Sequence, residues 1–257
     1  MDVTLIVTVA LTFVIAIIFS MFGQGGGSVY SPVLILLGYA VVISTSTSLV
    51  LNLLTSVSAG YIFYRKKMID FKTAVLFIPG ICIGSLIGGA AGNFVNSDLL
   101  LWIFVIFLIA VGARMVYTQW EVEKPEGACP TGFSKKMYAF ITIFGFGVGI
   151  LSGLLGVGGG ILIVPFMVYL CKYPTKTAAG SSHLIISFSA LFGIIGHSAF
   201  GSLDTTLILV TGIAVLIGGN LGARLSMRFK GSQLKVGLGL IYFALAAQLI
   251  LKLLGLY

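Results

Sequence analysis

The sequence predicts an all-α polytopic membrane protein built from two inverted-topology repeats, each with four long apolar segments and one short, glycine-broken segment. Three observations lead to this fold class: the composition, a series of long apolar segments and a glycine motif that occurs twice. Hydrophobic residues make up 58% of the 257 residues and charged residues 9%, compared with about 25% charged residues in soluble domains. The mean hydropathy is +1.14. This composition excludes a soluble enzyme, a nucleic-acid-binding domain and a disordered chain.

Eight apolar segments have the length that a membrane-spanning helix needs, about 20 residues. The first begins after Met1 and Asp2, without the basic residues that open a secretory signal, so we expect it to be retained as a transmembrane segment. The predicted spans are Val3–Phe22, Val42–Tyr64, Thr73–Val95, Leu99–Tyr117, Met137–Leu155, Thr177–Phe200, Thr205–Leu225 and Leu234–Leu254.

Two further apolar segments, Ser28–Tyr39 and Ile161–Cys171, each follow a cluster of glycines. They are too short to cross the hydrocarbon core as straight helices. Three structures are consistent with such segments: short tilted helices, halves of broken helices and re-entrant segments.

The longest polar stretch, residues 119–136, contains prolines and glycines and is typical of a linker. We expect it to divide the chain into a first transmembrane repeat, residues 1–118, and a second, residues 137–257. The two halves are nearly equal in length, which is what an internal duplication produces.

A glycine motif repeats between the halves. Gly23–Gly27 followed by Pro32 recurs 133 residues later as Gly156–Gly160 followed by Pro165. After a one-residue insertion the correspondence continues further along the chain. The later pairs are Ser46–Leu49 with Gly180–His183, Asp70 with Asp204, Gly84 with Gly218 and Gly88 with Gly222. Because glycine is common in membrane helices, the duplication is indicated by the shared register of the two copies and not by either motif alone.

The distribution of positive charge predicts that the second repeat is inverted. With an odd number of crossings in each half and Arg65–Lys72 in the cytoplasm, every Lys and Arg except Lys252 lies on the cytoplasmic side. An even number would move Lys172, Lys176 and the basic residues of 224–235 outside. Since cytoplasmic loops are enriched in Lys and Arg, we expect inverted repeats, both termini outside and a cytoplasmic linker.

The paired glycine clusters predict an anion-binding site, because inverted repeats with interrupted helices are an architecture of secondary transporters. Glycines expose backbone N–H groups without side-chain cover, and the first N–H groups of a helix have no intrahelical acceptor and attract anions. Close helix packing is the alternative role for these glycines. The candidate amide-bearing residues are Gly25, Gly26, Gly27, Ser28, Gly158, Gly159, Gly160 and Ile161.

Neutral polar side chains near the glycine clusters complete the predicted site. Hydroxyl and amide groups donate to an oxyanion without a buried positive charge, although hydrogen bonding between helices is their commoner role in membranes. His183 is a candidate for ligand binding or proton coupling, since histidine titrates near neutral pH. The candidates are Gln24, Thr47, Ser48, Asn52, Ser181, Ser182 and His183.

Neither a catalytic group nor a metal or cofactor site is expected. Cys82, Cys129 and Cys171 lack the spacing of a disulfide framework or a metal site. Acidic and basic residues are missing from the middle of the predicted spans, which disfavours a carboxylate proton relay and an intramembrane metalloprotease. We therefore expect a protein that is not an enzyme.

The two GxGGGxxxxP motifs, Gly23–Pro32 and Gly156–Pro165, together with Ser46–Leu49 and Gly180–His183, resemble the sulfite exporter TauE/SafE family of membrane transporters. The resemblance covers essentially the whole chain. It implies transport of sulfite, sulfonates or other organosulfur anions across the cytoplasmic membrane, with the glycine clusters lining the pathway. Gln24 stands where the second copy has Val157, so the two sites are not chemically equivalent.

The resulting functional hypothesis is a secondary transporter of small sulfur-containing oxyanions, such as sulfite or an organosulfonate, working by alternating access in the cell membrane. An anion channel is the main alternative, followed by a polytopic membrane enzyme or a cofactor-binding protein. The expected partners are the anion and the lipid bilayer, with no nucleic acid, and a homodimer stays open.

Overall fold

The computed structural model describes the backbone of residues 3–117, 134–198, 204–228 and 232–254. It describes the side chains of the same residues apart from 3, 115–116, 135 and 232–241. Most of the linker predicted at 119–136, and residues 199–200 at the end of one predicted span, lie outside the described residues.

The described chain is helical, which confirms the all-α prediction. The helices are α1 (Val3–Met21), α2 (Gly27–Leu36), α3 (Val41–Arg65), α4 (Phe71–Gly92), α5 (Ser97–Tyr117), α6 (Lys135–Leu155), α7 (Gly160–Pro165), α8 (Thr175–Ser198), α9 (Thr205–Ser226) and α10 (Ser232–Leu253). Among the described residues, seven of these helices, α1, α3–α6, α8 and α9, are long and apolar enough to cross a membrane. Each long helix begins and ends within a few residues of a predicted span.

Each of the two short segments, for which the sequence left several structures open, is a short helix that begins directly after its glycine cluster. Gly26 and Gly159 precede α2 and α7 with φ angles of 105° and 79°, a left-handed backbone that glycine adopts without a Cβ clash. After Pro165 the chain continues as a turn of π-helix, Phe166–Leu170. A proline removes one backbone donor inside a helix and crowds the preceding turn, so the change of helix type falls where the sequence places the proline.

Glycine ridges bring two pairs of helices into backbone contact. On α4, a Cβ added at Gly84 or Gly88 would overlap the backbone of α6 at Phe146 or Ile150. On α9, a Cβ at Gly218 would lie 2.8 Å from the carbonyl oxygen of Phe13 on α1. Close approach without side chains between the helices is the packing mode of small-residue motifs in membranes.

The contacts between helices follow a pseudo-two-fold pattern. α4 packs on α6 and α8, and their counterparts in the other half, α9 with α1 and α3, also pack together. Two helices pack on their own counterparts: α3 on α8, and α5 on α10. In addition, α2 packs on α3 in the first half as α7 packs on α8 in the second. The two halves therefore share one core instead of folding as separate units.

Helix directions follow from the order of these contacts. Contacts between α4 and α6 advance in the same sense along both helices, and contacts between α3 and α8 advance in opposite senses. The first set pairs Gly80 with Thr142, Gly84 with Phe146 and Gly88 with Ile150; the second pairs Leu49 with Gly193, Gly60 with His183 and Phe63 with Gly180. Hence α4 and α6 run parallel, whereas α3 and α8 run antiparallel.

Candidate functional site

The two glycine clusters lie against each other in the interior. A Cβ added at Gly27 would lie 2.6 Å from the carbonyl oxygen of Val157, and one at Gly160 would lie 2.8 Å from the carbonyl oxygen of Gly23. The pseudo-symmetric counterpart of the second contact is also present, since a Cβ at Gly27 would lie 2.8 Å from the carbonyl oxygen of Gly156. The structure thus brings together two clusters that are far apart in sequence, and we call residues 23–27 and 156–160 the glycine loops.

The glycine loops meet halfway along α3. Asn52, near the middle of Val41–Arg65, lies so close to both loops that a Cβ at Gly25 or at Gly158 would overlap its side-chain amide. Asn52 is fully buried. The interruption of the helices is therefore at the depth of the middle of a spanning helix, as expected for a transporter site.

The N–H groups at the end of each glycine loop and at the start of the helix that follows make no hydrogen bond to a backbone acceptor among the described residues. In the first half these are the backbone N–H groups of Gly25 to Ser28, and in the second half those of Gly158 to Ile161. The amides that follow, from Val29 and Leu162 onward, bond to carbonyls of Gly26 and Gly159. Free N–H groups at the positive end of a helix dipole attract an anion.

Ser48 and Asn52 on α3 join the two loops. The Ser48 hydroxyl contacts the carbonyl oxygen of Gly27 at 3.1 Å and that of Gly156 at 2.7 Å. The Asn52 Nδ2 group donates to the carbonyl oxygen of Val157 at 3.0 Å. Both predicted residues therefore contact the glycine loops, and they do so by satisfying loop carbonyls.

Two acceptor-capable side-chain atoms of α3 that lie beside the first glycine loop have no partner within the described residues. Asn52 Oδ1 and Ser56 Oγ are both buried, and both lie next to Gly25. Unpaired polar atoms are costly in an apolar interior, so they mark a place where a ligand or water would be stabilised. The pseudo-symmetric counterpart of Asn52 is Ile186, whose methyl group lies near Gly158 and Gly160, and it offers no such atom.

Gln24 and Ser28 bond to a residue that the sequence did not single out. The Tyr242 hydroxyl on α10 donates to Gln24 Oε1 at 3.0 Å and lies 3.0 Å from Ser28 Oγ. All three side chains are buried, and the Tyr242 ring packs edge-on against Phe19. A tyrosine in the middle of a predicted span, instead of at its interface end, was the signal that could have found it.

Tyr30 and Thr55 form a second buried pair that the sequence reasoning missed. Their hydroxyl oxygens lie 2.9 Å apart, and the Tyr30 ring fills the space beside Gly26, where a Cβ would come within 2.7 Å of it. This pair fixes the start of α2 against α3.

His183 contacts the end of α1 and not the amides of a glycine loop. Its Nε2 lies 2.9 Å from the carbonyl oxygen of Ser20, and its ring packs on Phe63 at a centroid distance of 5.5 Å. His197 Nε2 makes the equivalent contact to the carbonyl oxygen of Gly153, at 3.0 Å, near the end of α6. Each histidine therefore satisfies a carbonyl in the last turn of the first helix of a half.

The remaining predicted hydroxyls differ in whether they have a hydrogen-bond partner. Ser181 Oγ accepts the backbone N–H of Asp70 at 2.8 Å, so it bonds to the start of α4 and to neither glycine loop. Thr47 Oγ1 and Ser182 Oγ are buried and have no partner among the described residues.

The glycine loops are surrounded by neutral groups. None of the buried polar side chains of the described residues is an Asp, Glu, Lys or Arg, and no group of three or more metal-ligating side chains occurs among the described residues. One charged side chain bonds to the far end of α2: Lys252 Nζ donates to the carbonyl oxygen of Ile35 in the last turn. A cation there complements the negative end of the helix dipole and leaves the positive end directed to the site.

These features define a multi-pass helical membrane protein with two interrupted helices that meet inside a shared core, an arrangement typical of secondary transporters. The sulfite exporter TauE/SafE family matches residues 8–249. The chain belongs to this family, and it is a membrane transporter.

Curated relatives agree with this assignment. The chain is 26% identical to "Probable membrane transporter protein YunE" of Bacillus subtilis, over 95% of this chain and 97% of the relative. It is 26% identical to a "Probable membrane transporter protein" of Xylella fastidiosa, over 96% and 95% of the two chains. It is 26% identical to "Probable membrane transporter protein YfcA" of Escherichia coli, over 82% and 76%. No solved structure matches the chain.

Proposed function

We propose that the protein is a secondary transporter of a small sulfur-containing oxyanion, sulfite or an organosulfonate, and that the anion binds at the glycine loops. One observation carries this proposal: two sets of unpaired backbone N–H groups, Gly25–Ser28 and Gly158–Ile161, start at loops that touch each other. Membership of a family named for sulfite export supports this class of substrate.

The chemistry of the proposed site suits an oxyanion. Its donors are amides and hydroxyls, and these neutral groups bind an anion without holding it as tightly as a buried Lys or Arg would, which favours release. Besides the amides, the site would use Gln24, Thr47, Ser48, Asn52 and Ser182. Ser181 and His183, both on α8, lie outside it, because they contact the start of α4 and the end of α1.

The asymmetry between the halves supports a binding position closer to the first half. Gln24 and Asn52 are polar, whereas their counterparts Val157 and Ile186 are apolar. The unpaired atoms Asn52 Oδ1 and Ser56 Oγ also lie beside Gly25. A bound oxyanion that carries a proton would donate a hydrogen bond to Asn52 Oδ1. Its other oxygens would accept hydrogen bonds from the backbone amides.

Alternating access would follow from inverted repeats that exchange conformations. The antiparallel packing of α3 on α8 supports inversion, because counterparts related by an axis along the membrane normal would run parallel. The positive charge of Arg65–Lys72 supports a cytoplasmic location for the α3–α4 connection. In the proposed orientation both termini face outside the cell membrane and the linker is cytoplasmic.

The tight contact between the glycine loops argues against the anion-channel alternative. An open channel requires a continuous passage, whereas carbonyl oxygens of one loop lie within 2.8 Å of Cβ positions of the other. Closed loops that must move to let an anion pass are the behaviour of a transporter.

Uptake into liposomes tests the function. Purified protein would be reconstituted, and the uptake of labelled sulfite, sulfate, thiosulfate and sulfoacetate measured against protein-free liposomes. We expect saturable uptake of sulfite or sulfoacetate. A folded protein that transports none of the four would overturn the substrate assignment, and conductive flux without saturation would favour a channel.

A further inference from the structure

Two equivalent clusters lie at the starts of α4 and α9. Asp70 and Asp204 cap these helices, accepting from the backbone N–H groups of Lys72 at 3.1 Å and Leu207 at 3.0 Å. A tyrosine follows each short helical segment at an equivalent position. The N–H of Tyr39 donates to the carbonyl oxygen of Leu34 at 3.1 Å, and the N–H of Tyr173 donates to the carbonyl oxygen of Met167 at 2.9 Å. Each aspartate thus corresponds to the other, as does each tyrosine.

The cluster at Asp70 is closed. The Tyr173 hydroxyl donates to Asp70 Oδ2, and Thr73 Oγ1 lies 3.0 Å from the same oxygen. Ser181 Oγ accepts the Asp70 N–H at 2.8 Å. Tyr173 is 1% exposed, so this cluster fastens the segment after α7 to both α4 and α8. We call Asp70, Thr73, Tyr173 and Ser181 the Asp70 latch.

The equivalent cluster at Asp204 is open. Ser181 corresponds to Thr47, whose buried Oγ1 has no partner among the described residues. The side chain of Tyr39 bonds to no described residue, and both Tyr39 and Asp204 line a cavity of about 460 Å³. The other lining residues are Thr4, Leu5, Leu37, Gly38, Thr206 and Leu207.

We propose that these clusters are the two gates of the transporter and that they close alternately. In the structure, the Asp70 latch closes one end of the proposed transport pathway. The other end, at Asp204, is open as the cavity described above. In the opposite state Tyr39 would close on Asp204, Thr47 would accept the Asp204 N–H, and the Asp70 latch would separate. This proposal rests on the alternating access proposed above and assigns the residues that control it.

The two gates differ in strength. Thr73 adds a hydroxyl beside the Asp70 carboxylate, but its counterpart is Leu207, which has none. The Asp204 gate therefore has fewer bonds to make, and the state with the Asp70 latch closed is favoured at rest.

Cys171 is a built-in reporter of the Asp70 latch. It lies two residues before Tyr173, is 1% exposed, and packs in one cluster with Ala74 of α4 and Ala178 of α8. Separation of the latch would open this cluster and expose the thiol. Since Cys82 and Cys129 are the other cysteines, replacing both with serine leaves Cys171 alone.

The test measures the rate at which a maleimide labels Cys171 in this single-cysteine protein, checked for a single symmetric peak on gel filtration. Tyr173→Phe removes the bond to Asp70 and keeps the ring, so we expect labelling to speed up about ten-fold, as loss of one hydrogen bond to a charged group predicts. Thr73→Val should act in the same direction. The matched control, Tyr39→Phe, weakens the opposite gate and should not raise the rate.

Unchanged labelling in both latch variants, or an equal increase in Tyr39→Phe, would overturn the gate assignment. Labelling reports the gate without any substrate. If the labelling rates differ as expected but the liposomes take up no sulfur oxyanion, the gates stand and the proposed substrate falls. If the liposomes take up sulfite but the latch variants leave the labelling rate unchanged, the proposed substrate stands and the gate assignment falls.

Discussion

Asn52 is the residue on which the proposed site depends most at the scale of single side chains. It lies between the two glycine loops, donates to Val157, and leaves Oδ1 unpaired beside Gly25. A buried amide with one atom satisfied and one unsatisfied is unfavourable for stability alone. We therefore interpret Asn52 as a residue kept for binding.

Replacing Asn52 with leucine tests this interpretation. The change removes the donor to Val157 and leaves that carbonyl unsatisfied, at a cost of about 1–3 kcal/mol, and it removes a proposed contact with the anion. We expect sulfite uptake, normalised to folded protein, to fall about ten-fold or more, a loss of roughly 1.4 kcal/mol in binding. Asn93→Leu is the control, because Asn93 donates within its own helix to Gly89. Equal uptake by the two variants would contradict the role of Asn52.

A second prediction at this scale concerns Gly27. Gly27→Ala would place a methyl group 2.6 Å from the Val157 carbonyl oxygen and 2.8 Å from that of Gly156, so the loops would have to separate. We expect transport to be lost or reduced by more than about ten-fold. Gly147→Ala serves as the control, since nothing lies within 4 Å of its Cβ position. Transport by Gly27→Ala at the rate of this control would show that the loop contact is not needed.

At the scale of elements, sequence and structure agree on where helices lie and differ in how the short ones are built. Hydrophobic length was enough to place α3 and α4, because a spanning helix needs a continuous apolar run. It could not predict the π-helical turn Phe166–Leu170 or the partner of Tyr242 on α10, since both depend on contacts between distant segments. The paired glycine motif predicted the meeting of the loops because it preserved register between the halves.

The orientation of α2 gives a prediction about this element. The Ile35 carbonyl oxygen in its last turn accepts a hydrogen bond from Lys252 Nζ. A cation at the negative end of a helix dipole contributes about 0.3–1 kcal/mol to stability. We expect Lys252→Met to lower the midpoint of thermal unfolding by a few degrees and Lys252→Arg to retain most of the stability. Lys72→Met, at an exposed position at the start of α4, is the control, because a cation at the positive end of a helix dipole does not stabilise the helix. An unfolding midpoint for Lys252→Met equal to that of the control would rule out the capping role.

At the scale of the whole molecule, the two halves pack as a pseudo-symmetric pair but differ in chemistry at the centre and at the gates. Gln24 and Asn52 are polar where Val157 and Ile186 are apolar, and Thr73 bonds where Leu207 cannot. The sequence predicts a duplication, and two of the side chains that it names, Ser48 and Asn52, contact the glycine loops. It could not separate Ser181 from that site, because only the folded chain brings Asp70 to it.

The proposed inverted topology predicts which loops face outside. A cysteine at Asn96, in the exposed α4–α5 connection, should react with a membrane-impermeant maleimide added to intact cells. A cysteine at Lys66, in the exposed α3–α4 connection, should react only after the membrane is permeabilised, because positive loops stay in the cytoplasm. The reverse pattern would invert the orientation, and equal labelling at both sites would contradict the assignment of sides.

The central claim is that a sulfur oxyanion crosses the membrane by exchange through the glycine loops. Counterflow of labelled sulfite tests this most directly, in liposomes preloaded with unlabelled sulfite and containing either the native chain or Gly27→Ala. We predict that the native chain accumulates label transiently above equilibrium and that Gly27→Ala does not, while Gly147→Ala behaves like the native chain. Absence of counterflow with the native chain, or equal counterflow with Gly27→Ala, would contradict the account.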